Sequence, residues 1–275
     1  MEIKKLTLQN QLNQEFKVDF FGLSSINPEN QNVEFPLIVL SPGGYFTHYS
    51  LKEIEPLALA YMNQGYEVAV VYYQLVDGEH PVYPAAALSV IKTLQYFKEN
   101  AALYSVSANQ IVTAGFSAGG HVASAVNAML LDEGMQQVFA LDPANALPAA
   151  TILGYPFIDI EQLSFELTPE QQKAIPSEVL FHNTAAGVTK QTPPTFVFHA
   201  VGDPVVPVSN GISYFNALQA NGVVSEAHFF NGKVHGFATA KPRIGEAGNA
   251  QLVDQHLAHW LRLSTEWLSQ VLAAD

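Results

Sequence analysis

The sequence predicts an α/β fold in which a mostly parallel, doubly wound sheet is flanked by helices. Short apolar runs, typical of strands covered on both faces, alternate along the chain with longer segments of helical character. The 275 residues are 48% hydrophobic, which is enough for the core of one large domain spanning residues 1–275. A Gly-x-Ser-x-Gly pattern at residues 115–119 lies between a predicted strand and a predicted helix. In such sheets ligands bind at the carboxyl ends of the strands, so functional residues are expected there.

The strands are predicted from two kinds of pattern. Residues 3–9 and 16–21 alternate apolar with polar side chains, which predicts two antiparallel edge strands with one wet face. Residues 27–32 are rich in Asn and carry a proline, which predicts a turn-containing connection. Short runs rich in apolar residues then predict buried strands at residues 36–40, 67–73, 110–114 and 195–200, and two further strands are predicted at residues 149–154 and 225–230.

Longer segments between these strands predict helices at residues 53–63, 84–100, 121–131 and 209–220. Pro84 stands at a favourable first-turn position, Gly65 is placed to cap a C-terminus, and Gly222 ends the fourth helix. Residues 249–272 predict a closing helix, because apolar residues recur there at helical spacing. Its apolar face comprises Leu252, Val253, Leu257, Trp260, Leu261, Trp267, Leu268 and Val271.

The pattern changes between residues 155 and 194. Prolines interrupt short segments in this stretch, and no long periodic helix fits it; they stand at positions 156, 169, 176, 193 and 194. We therefore expect a small lid-like insertion above the sheet and not a separate domain.

The Gly-x-Ser-x-Gly pattern predicts a nucleophile at Ser117. Between a strand and a helix, the chain reverses so sharply that this serine is strained at the apex, and glycines on either side avoid the neighbouring backbone. Its hydroxyl would then lie above the sheet at a helix N-terminus, where free N–H groups favour negative charge. The pattern alone is common in loops, so a base, an acid and an oxyanion hole must accompany it.

His235 is the predicted base. A serine hydroxyl is a weak nucleophile and needs a neighbouring base that a carboxylate orients. His235 lies in a Gly-flanked loop directly after the last predicted strand, and Gly236 carries no side chain that would block its reach toward Ser117. Four other histidines have structural interpretations. His199 lies inside an apolar strand, and His121 is expected to pack or hydrogen-bond locally in the helix after Ser117. His256 and His259 are expected on the wet face of the last helix.

Asp203 is the predicted orienting acid. It follows the strand 195–200 directly, and Pro204 biases it toward an extended conformation and away from helix. A plain turn before the next helix is the structural alternative. Asp159, in the presumed lid, and Asp254, on the last predicted helix, compete with it, but neither follows a strand toward the histidine loop as directly.

The oxyanion hole requires backbone N–H groups aimed at the oxygen of the tetrahedral intermediate. One is expected from Ala118, directly after the nucleophile. The other should come from the loop after the first buried strand, where Pro42 has no N–H to give. The candidates are therefore Gly43, Gly44 or Tyr45, unless this loop is an ordinary glycine turn.

Together these features resemble the α/β-hydrolase fold, and most closely the small acetyl-xylan and feruloyl esterase-like carboxylesterases related to hormone-sensitive lipase. That branch typically carries a Pro-Gly-Gly-Gly-Tyr or His-Gly-Gly-Gly loop, then Gly-Phe-Ser-Ala-Gly-Gly-His, Asp-x-x-Val-Pro and His-Gly-Phe. The corresponding segments here are residues 42–45, 115–121, 203–207 and 235–237, and the resemblance extends over about residues 36–240.

The resemblance implies a catalytic triad and an oxyanion hole. The triad would be Ser117, Asp203 and His235, and the oxyanion amides would belong to Gly43, Gly44 and Ala118. The chain departs from the branch at the third loop glycine, which is Tyr45 here, and this ring is expected to wall the acyl pocket.

The predicted function is a serine carboxylesterase that hydrolyses short-chain, acetyl-type esters, with acylated sugars among the candidate substrates. The same triad also serves amide or peptide hydrolases of the fold, and a catalytically silent binding protein is the alternative from another class. The chain has no long apolar lid, which argues against a triacylglycerol lipase.

Composition limits which binding partners and cofactors are expected. The net charge of −13 repels nucleic acid and anionic membrane surfaces, and the absence of cysteine excludes disulfides and thiolate nucleophiles. We find no set of metal ligands, phosphate loop or dinucleotide fingerprint, so neither a metal nor another cofactor is expected. The first residues lack the apolar core of a signal peptide, which favours a cytoplasmic enzyme. The sequence is also compatible with a homodimer.

Overall fold

The computed structural model describes residues 2–23, 33–175 and 178–273, and in these ranges an eight-stranded sheet carries the fold. Its strands are β1 Glu2–Gln9, β2 Glu15–Gly22, β3 Phe35–Ser41, β4 Glu67–Tyr72, β5 Val106–Phe116, β6 Ala150–Gly154, β7 Thr195–Ala200 and β8 Ser225–Phe230. The predicted connection at residues 27–32 and Pro176 lie outside the described residues.

The strand order across the sheet is β1-β2-β4-β3-β5-β6-β7-β8. All pairs from β4 to β8 are parallel, whereas β1 and β2 pair antiparallel with their neighbours. The predicted α/β class with a mostly parallel sheet is therefore confirmed. The carboxyl ends of β3, β5, β7 and β8 all reach the same edge of the sheet, because these strands run in one direction.

The prediction of two edge strands is half wrong. β1 lies at the edge, but β2 hydrogen-bonds to β1 on one side and to β4 on the other. Its alternating apolar residues are covered as well, since Phe16, Val18 and Phe20 are buried in the core. An alternating pattern shows that one face of a strand is covered, and it does not show how many neighbours the strand has.

Helices cover both faces of the sheet. They are α1 Glu55–Met62, α2 Ala85–Glu99, α3 Ala118–Leu131, α4 Glu133–Phe139, α5 Pro143–Ala146, α6 Pro169–Ala174, α7 Val179–His182, α8 Ser209–Ala220 and α9 His259–Val271. β3 shows the division: Leu37 and Val39 pack in the core that α2 and α3 cover, and Ile38 and Leu40 in the core under α1 and α9. Within the described ranges, none of these helices has the length and apolar character to cross a membrane.

The last helix is shorter than predicted, since α9 begins at His259 and not at residue 249. The Asp254 carboxylate accepts the N–H groups of His256 at 2.7 Å and Leu257 at 3.1 Å, and such a turn competes with helix formation. The predicted apolar positions before the helix are nevertheless buried at Leu252 and Leu257, while Val253 is exposed. His256 consequently lies outside the helix on which it was predicted.

The segment between β6 and β7 consists of turns and short helices above the sheet edge. Its α6 begins with a capping box, in which Thr168 and Gln171 each accept the other's backbone N–H. Two contacts attach α6 to the rest of the fold: Gln171 Nε2 donates to the Tyr45 carbonyl at 2.9 Å, and Val82 N–H donates to the Ala174 carbonyl at 2.8 Å. This segment therefore lies against the loop that follows β3.

Candidate active site

Ser117 occupies the turn between β5 and α3 in a strained conformation, with φ 54° and ψ −121°. Its backbone is held on both sides, because its N–H donates to Gly154 O at 3.0 Å and its carbonyl accepts from Phe157 N at 3.1 Å. The neighbouring glycines are required sterically. A Cβ on Gly115 would lie 2.2 Å from Gly119 O, and a Cβ on Gly119 would lie 2.0 Å from Ser41 O. The turn thus presents the Ser117 hydroxyl at the carboxyl edge of the sheet.

His235 lies within hydrogen-bonding distance of this hydroxyl. Its Nε2 is 2.7 Å from Ser117 Oγ, and its Nδ1 is 2.7 Å from Asp203 Oδ2. This geometry is satisfied when Ser117 O–H donates to Nε2 and Nδ1–H donates to the carboxylate. The loop after β8 that carries His235 turns at Gly236, where φ is 64°. The structure therefore brings together the three residues that the sequence singled out.

Asp203 is held as a carboxylate by three N–H donors and by the nearby His199 imidazole. Its Oδ1 accepts from the N–H groups of Val205 at 2.9 Å and Val206 at 3.0 Å. Its Oδ2 accepts from His235, and His199 Nε2 lies 3.3 Å from the same oxygen. Burial by itself raises the pKa of Asp203, but the hydrogen bonds from His199 and His235 outweigh it and lower the pKa to about 2. The acid is therefore ionised at neutral pH, as an orienting carboxylate must be.

His199 is a residue of this site that sequence reasoning missed. Its position inside an apolar strand suggested simple packing, and its side chain is indeed fully buried. Its Nε2 also lies 2.9 Å from the Val206 carbonyl and within reach of Asp203. The available signal was its place four residues before the acid, at the carboxyl end of β7.

The competing candidates lie elsewhere. Asp159 accepts from Gln162 and Asn183, and Asp254 forms the turn before α9. His121 is fully buried as expected, but its hydrogen bond is not local, since its Nδ1 lies 2.6 Å from the Tyr83 hydroxyl. Burial lowers the pKa of His121 to about 3, so it is neutral at physiological pH.

The structure changes the prediction for one residue of the oxyanion loop. The Gly43 N–H donates to Glu53 Oε2 at 2.6 Å, so this amide is directed at a carboxyl group and not at the substrate. Within the described part of the chain, the amides of Gly44, Tyr45 and Ala118 have no protein acceptor. Gly44, with φ 128°, and Tyr45, with φ 58°, curve the loop around the serine. The amides available beside Ser117 are thus those of Ala118 and of Gly44 and Tyr45.

Gly43 instead permits close approach. A Cβ at this position would lie 2.8 Å from the Phe116 carbonyl and 2.8 Å from Ser117 Cβ. The loop backbone is therefore in contact with Ser117, and only glycine fits there.

Glu53 is a second residue that the sequence did not indicate, because position 53 was predicted only as the start of a helix. It is 1% exposed and lies in a 3₁₀ turn, Leu51–Glu53, ahead of α1. Its Oε1 accepts from the Tyr155 hydroxyl at 2.8 Å, in addition to the Gly43 contact at Oε2. Burial raises the pKa of Glu53, and the two hydrogen bonds together with nearby His235 oppose that rise.

Two spaces open at Ser117. One is a small cavity of about 20 Å³ with apolar walls, and its main lining residues are Tyr45, Phe46, Phe157, Leu163, Phe165 and Leu167. The other is a cleft of about 620 Å³ that Ser117 and His235 share with Lys52 and Glu246. Lys52 and Glu246 form an ion pair of 2.8 Å at its rim. A serine hydroxyl, a histidine held by a carboxylate, unpaired amides and two unequal spaces together form a site suited to acyl transfer.

Comparison with known proteins agrees with this geometry. The BD-FAE family model matches residues 23–218. The carboxylesterase Cest-2923 from Lactobacillus plantarum WCFS1 superposes with a TM-score of 0.92 at 30% sequence identity, covering 98% of each chain.

Two curated relatives are longer than this chain. An acetylxylan esterase of Xylanibacter ruminicola is 28% identical over 221 residues, which are 76% of this chain and 42% of the relative. An endo-1,4-beta-xylanase B of Butyrivibrio fibrisolvens is 24% identical over 253 residues, which are 90% of this chain and 40% of the relative. The chain thus spans about two fifths of the length of each. The family match, with the Cest-2923 superposition, confirms the resemblance inferred from the motifs: the chain belongs to the BD-FAE family, in the acetylxylan and feruloyl esterase-like branch of the α/β-hydrolase esterases.

Proposed function

We propose that this chain is a serine carboxylesterase that hydrolyses short-chain, acetyl-type esters through an acyl-enzyme on Ser117. The observation that carries the proposal is the continuous hydrogen-bond chain from Asp203 through His235 to the Ser117 hydroxyl, with 2.7 Å at each step. A histidine held in this way takes the serine proton as the nucleophile attacks. Unpaired amides beside the serine serve the charge that develops on the carbonyl oxygen.

The reaction then follows from the positions of these groups. Ser117 Oγ attacks the ester carbonyl, and its proton passes to His235 Nε2. Asp203, ionised and fixed by backbone N–H groups, stabilises the imidazolium that forms. The amides of Ala118 and of Gly44 or Tyr45 bind the oxyanion. His235 gives its proton to the leaving alcohol, and water then releases the acid by the same route.

The small cavity supports a short acyl group. Its volume is about 20 Å³, while a single water molecule needs roughly 10–15 Å³ by the same measure. A methyl group matches this space, and a longer acyl chain meets Tyr45 and Phe165, whose rings touch edge to face with centroids 5.6 Å apart. Phe165 belongs to the segment between β6 and β7, which we propose acts as a lid that closes the acyl side.

The large cleft supports an acylated sugar as the substrate. It is open and polar at its rim, where the Lys52–Glu246 pair lies. Tyr49 lines both this cleft and a neighbouring groove of about 700 Å³, so an alcohol larger than one sugar ring has room beside the serine. The name of the acetylxylan esterase relative agrees with such a substrate.

A substrate panel tests the proposal. Wild-type protein is assayed with acetyl, butyryl, octanoyl, feruloyl and aminoacyl-amide substrates, and with acetylated xylo-oligosaccharides. We expect acetyl esters to be hydrolysed with the highest kcat/KM, and the Ser117→Ala variant to lose about 10⁴-fold or more in kcat. Amide turnover above ester turnover would assign the site to the amide or peptide hydrolases. Unchanged hydrolysis by a folded Ser117→Ala variant would refute the serine mechanism.

A further inference from the structure

A buried carboxyl group lies beneath the active site and takes no part in the triad. Glu53 is 1% exposed, and each of its two oxygens accepts one hydrogen bond. A buried acid of this kind is costly unless its partners match it, so its retention beside a nucleophile calls for a physical explanation.

We propose that Glu53 is a positioning residue that fixes the oxyanion loop for the reaction of Ser117, an inference that rests on the proposed function. The bond from Gly43 N–H to Glu53 Oε2, at 2.6 Å, sets the orientation of the peptide unit that precedes the donor amides. Without this acceptor, the peptide between Pro42 and Gly43 is held only at its carbonyl, which accepts from the Tyr73 hydroxyl. Its N–H side can then shift, and the amides of Gly44 and Tyr45 shift with it. The acceptor therefore acts on the transition state through the loop and touches no reacting atom.

The position of Gly43 supports this role. A Cβ built on it would lie 2.8 Å from Ser117 Cβ and 2.9 Å from Glu53 Oε2. Ser117 and the Glu53 carboxyl oxygen therefore approach the loop at the same residue, Gly43. A shift of the Gly43 peptide changes the distance between the oxyanion donors and Ser117. Small errors in such distances are costly, because electrostatic stabilisation depends on prearranged donors.

Tyr155 connects Glu53 with the histidine loop. Its hydroxyl donates to Glu53 Oε1 at 2.8 Å and accepts from Ala238 N–H at 3.1 Å. Its ring packs edge-on against the His235 imidazole, with centroids 5.2 Å apart. One carboxyl group thus holds the oxyanion loop directly and the histidine loop through Tyr155. Both oxygens of Glu53 must accept a hydrogen bond if this side chain is to hold the two loops together.

The Glu53→Gln variant tests this requirement at nearly constant side-chain size. The NH₂ group of glutamine cannot accept, so either the Gly43 N–H or the Tyr155 O–H loses its acceptor; in the second arrangement the NH₂ group donates to the Tyr155 oxygen. We expect kcat for p-nitrophenyl acetate to fall about 10- to 100-fold, somewhat less than the loss of a whole oxyanion donor. KM should stay within about threefold, because the lost interaction is made in the transition state.

Two measurements separate positioning from loss of folding. The final stoichiometry of fluorophosphonate labelling counts the sites that are folded, and kcat is expressed per labelled site. The matched control is Glu55→Gln, the same chemical change two residues away on an exposed side chain, and it should retain wild-type kcat and Tm. The Tyr155→Phe variant leaves the carboxyl group on Gly43 but removes its second partner, so we expect a smaller fall, about three- to tenfold.

The outcomes are distinguishable. If wild-type protein neither hydrolyses esters nor labels at Ser117, the proposed function fails. If wild-type protein does both and folded Glu53→Gln keeps kcat within twofold, only the role of Glu53 is refuted. If Glu53→Gln does not fold, Tyr155→Phe decides: a lowered kcat per labelled site supports the proposal, and an unchanged one overturns it.

Discussion

Replacing Phe165 by alanine should widen the acyl specificity from acetyl to butyryl esters. Phe165 closes the small cavity of about 20 Å³ at Ser117 and packs edge to face on Tyr45. Its removal opens space for the two additional methylene groups of a butyryl chain. Each methylene buried contributes about 0.8 kcal/mol, so the pair contributes about 1.6 kcal/mol. This corresponds to a rise of about 15-fold in the ratio of kcat/KM for butyrate to that for acetate.

The assay compares p-nitrophenyl acetate, butyrate and hexanoate under identical conditions. Phe139→Ala is the matched control, because Phe139 is also partly exposed but ends α4 and does not line the cavity. It should leave the butyrate-to-acetate ratio unchanged. If Phe165→Ala leaves this ratio within twofold of the wild-type value, or if wild-type protein already prefers butyrate, Phe165 does not limit the length of the acyl group.

Three further predictions concern the frame of the site. The depressed pKa of Asp203, about 2, stabilises the folded protein at pH values above the ordinary pKa near 3.9. This stabilisation is lost as the pH falls through about 2. The free energy of unfolding should therefore drop more steeply between pH 4 and 2 in wild type than in Asp203→Asn. His199→Ala removes a donor to that carboxylate and should lower kcat about tenfold, a value that steady-state kinetics checks and that wild-type turnover would contradict. Gly119→Ala places a Cβ 2.0 Å from Ser41 O and should cost about 3 kcal/mol or more in unfolding free energy, whereas Gly134→Ala in α4, which meets nothing closer than 3.1 Å, should cost little; equal Tm values for the two variants would refute the steric argument.

Elements whose patterns report local burial could be predicted well. The bounds predicted for β7, α8 and β8 agree with the structure. An apolar run sets those of β7, and the glycine that follows α8 separates this helix from β8. The extent of α9 could not be predicted in this way. The turn at Asp254 depends on a contact between its N–H and Ala240 O, at 3.1 Å, which the helical spacing of the apolar residues does not reveal.

The residues of the candidate site could likewise be predicted only in part. The order of Ser117, Asp203 and His235 along the chain, each after its own strand, was enough to single them out. Glu53 could not be found, because its partner Tyr155 is 102 residues away and its bond to Gly43 depends on how the loop folds. That same bond removes Gly43 from the candidate oxyanion donors: a sequence shows which amides exist, and only the fold shows which are already engaged.

The central claim is that Ser117 is the nucleophile activated by His235. It is tested most directly by treating the protein with a fluorophosphonate and mapping the adduct by peptide mass spectrometry. We expect one adduct per chain, on Ser117, and slow or absent labelling in His235→Ala. A protein that remains unlabelled while folded, or that carries the adduct on another residue, would show that Ser117 is not the nucleophile.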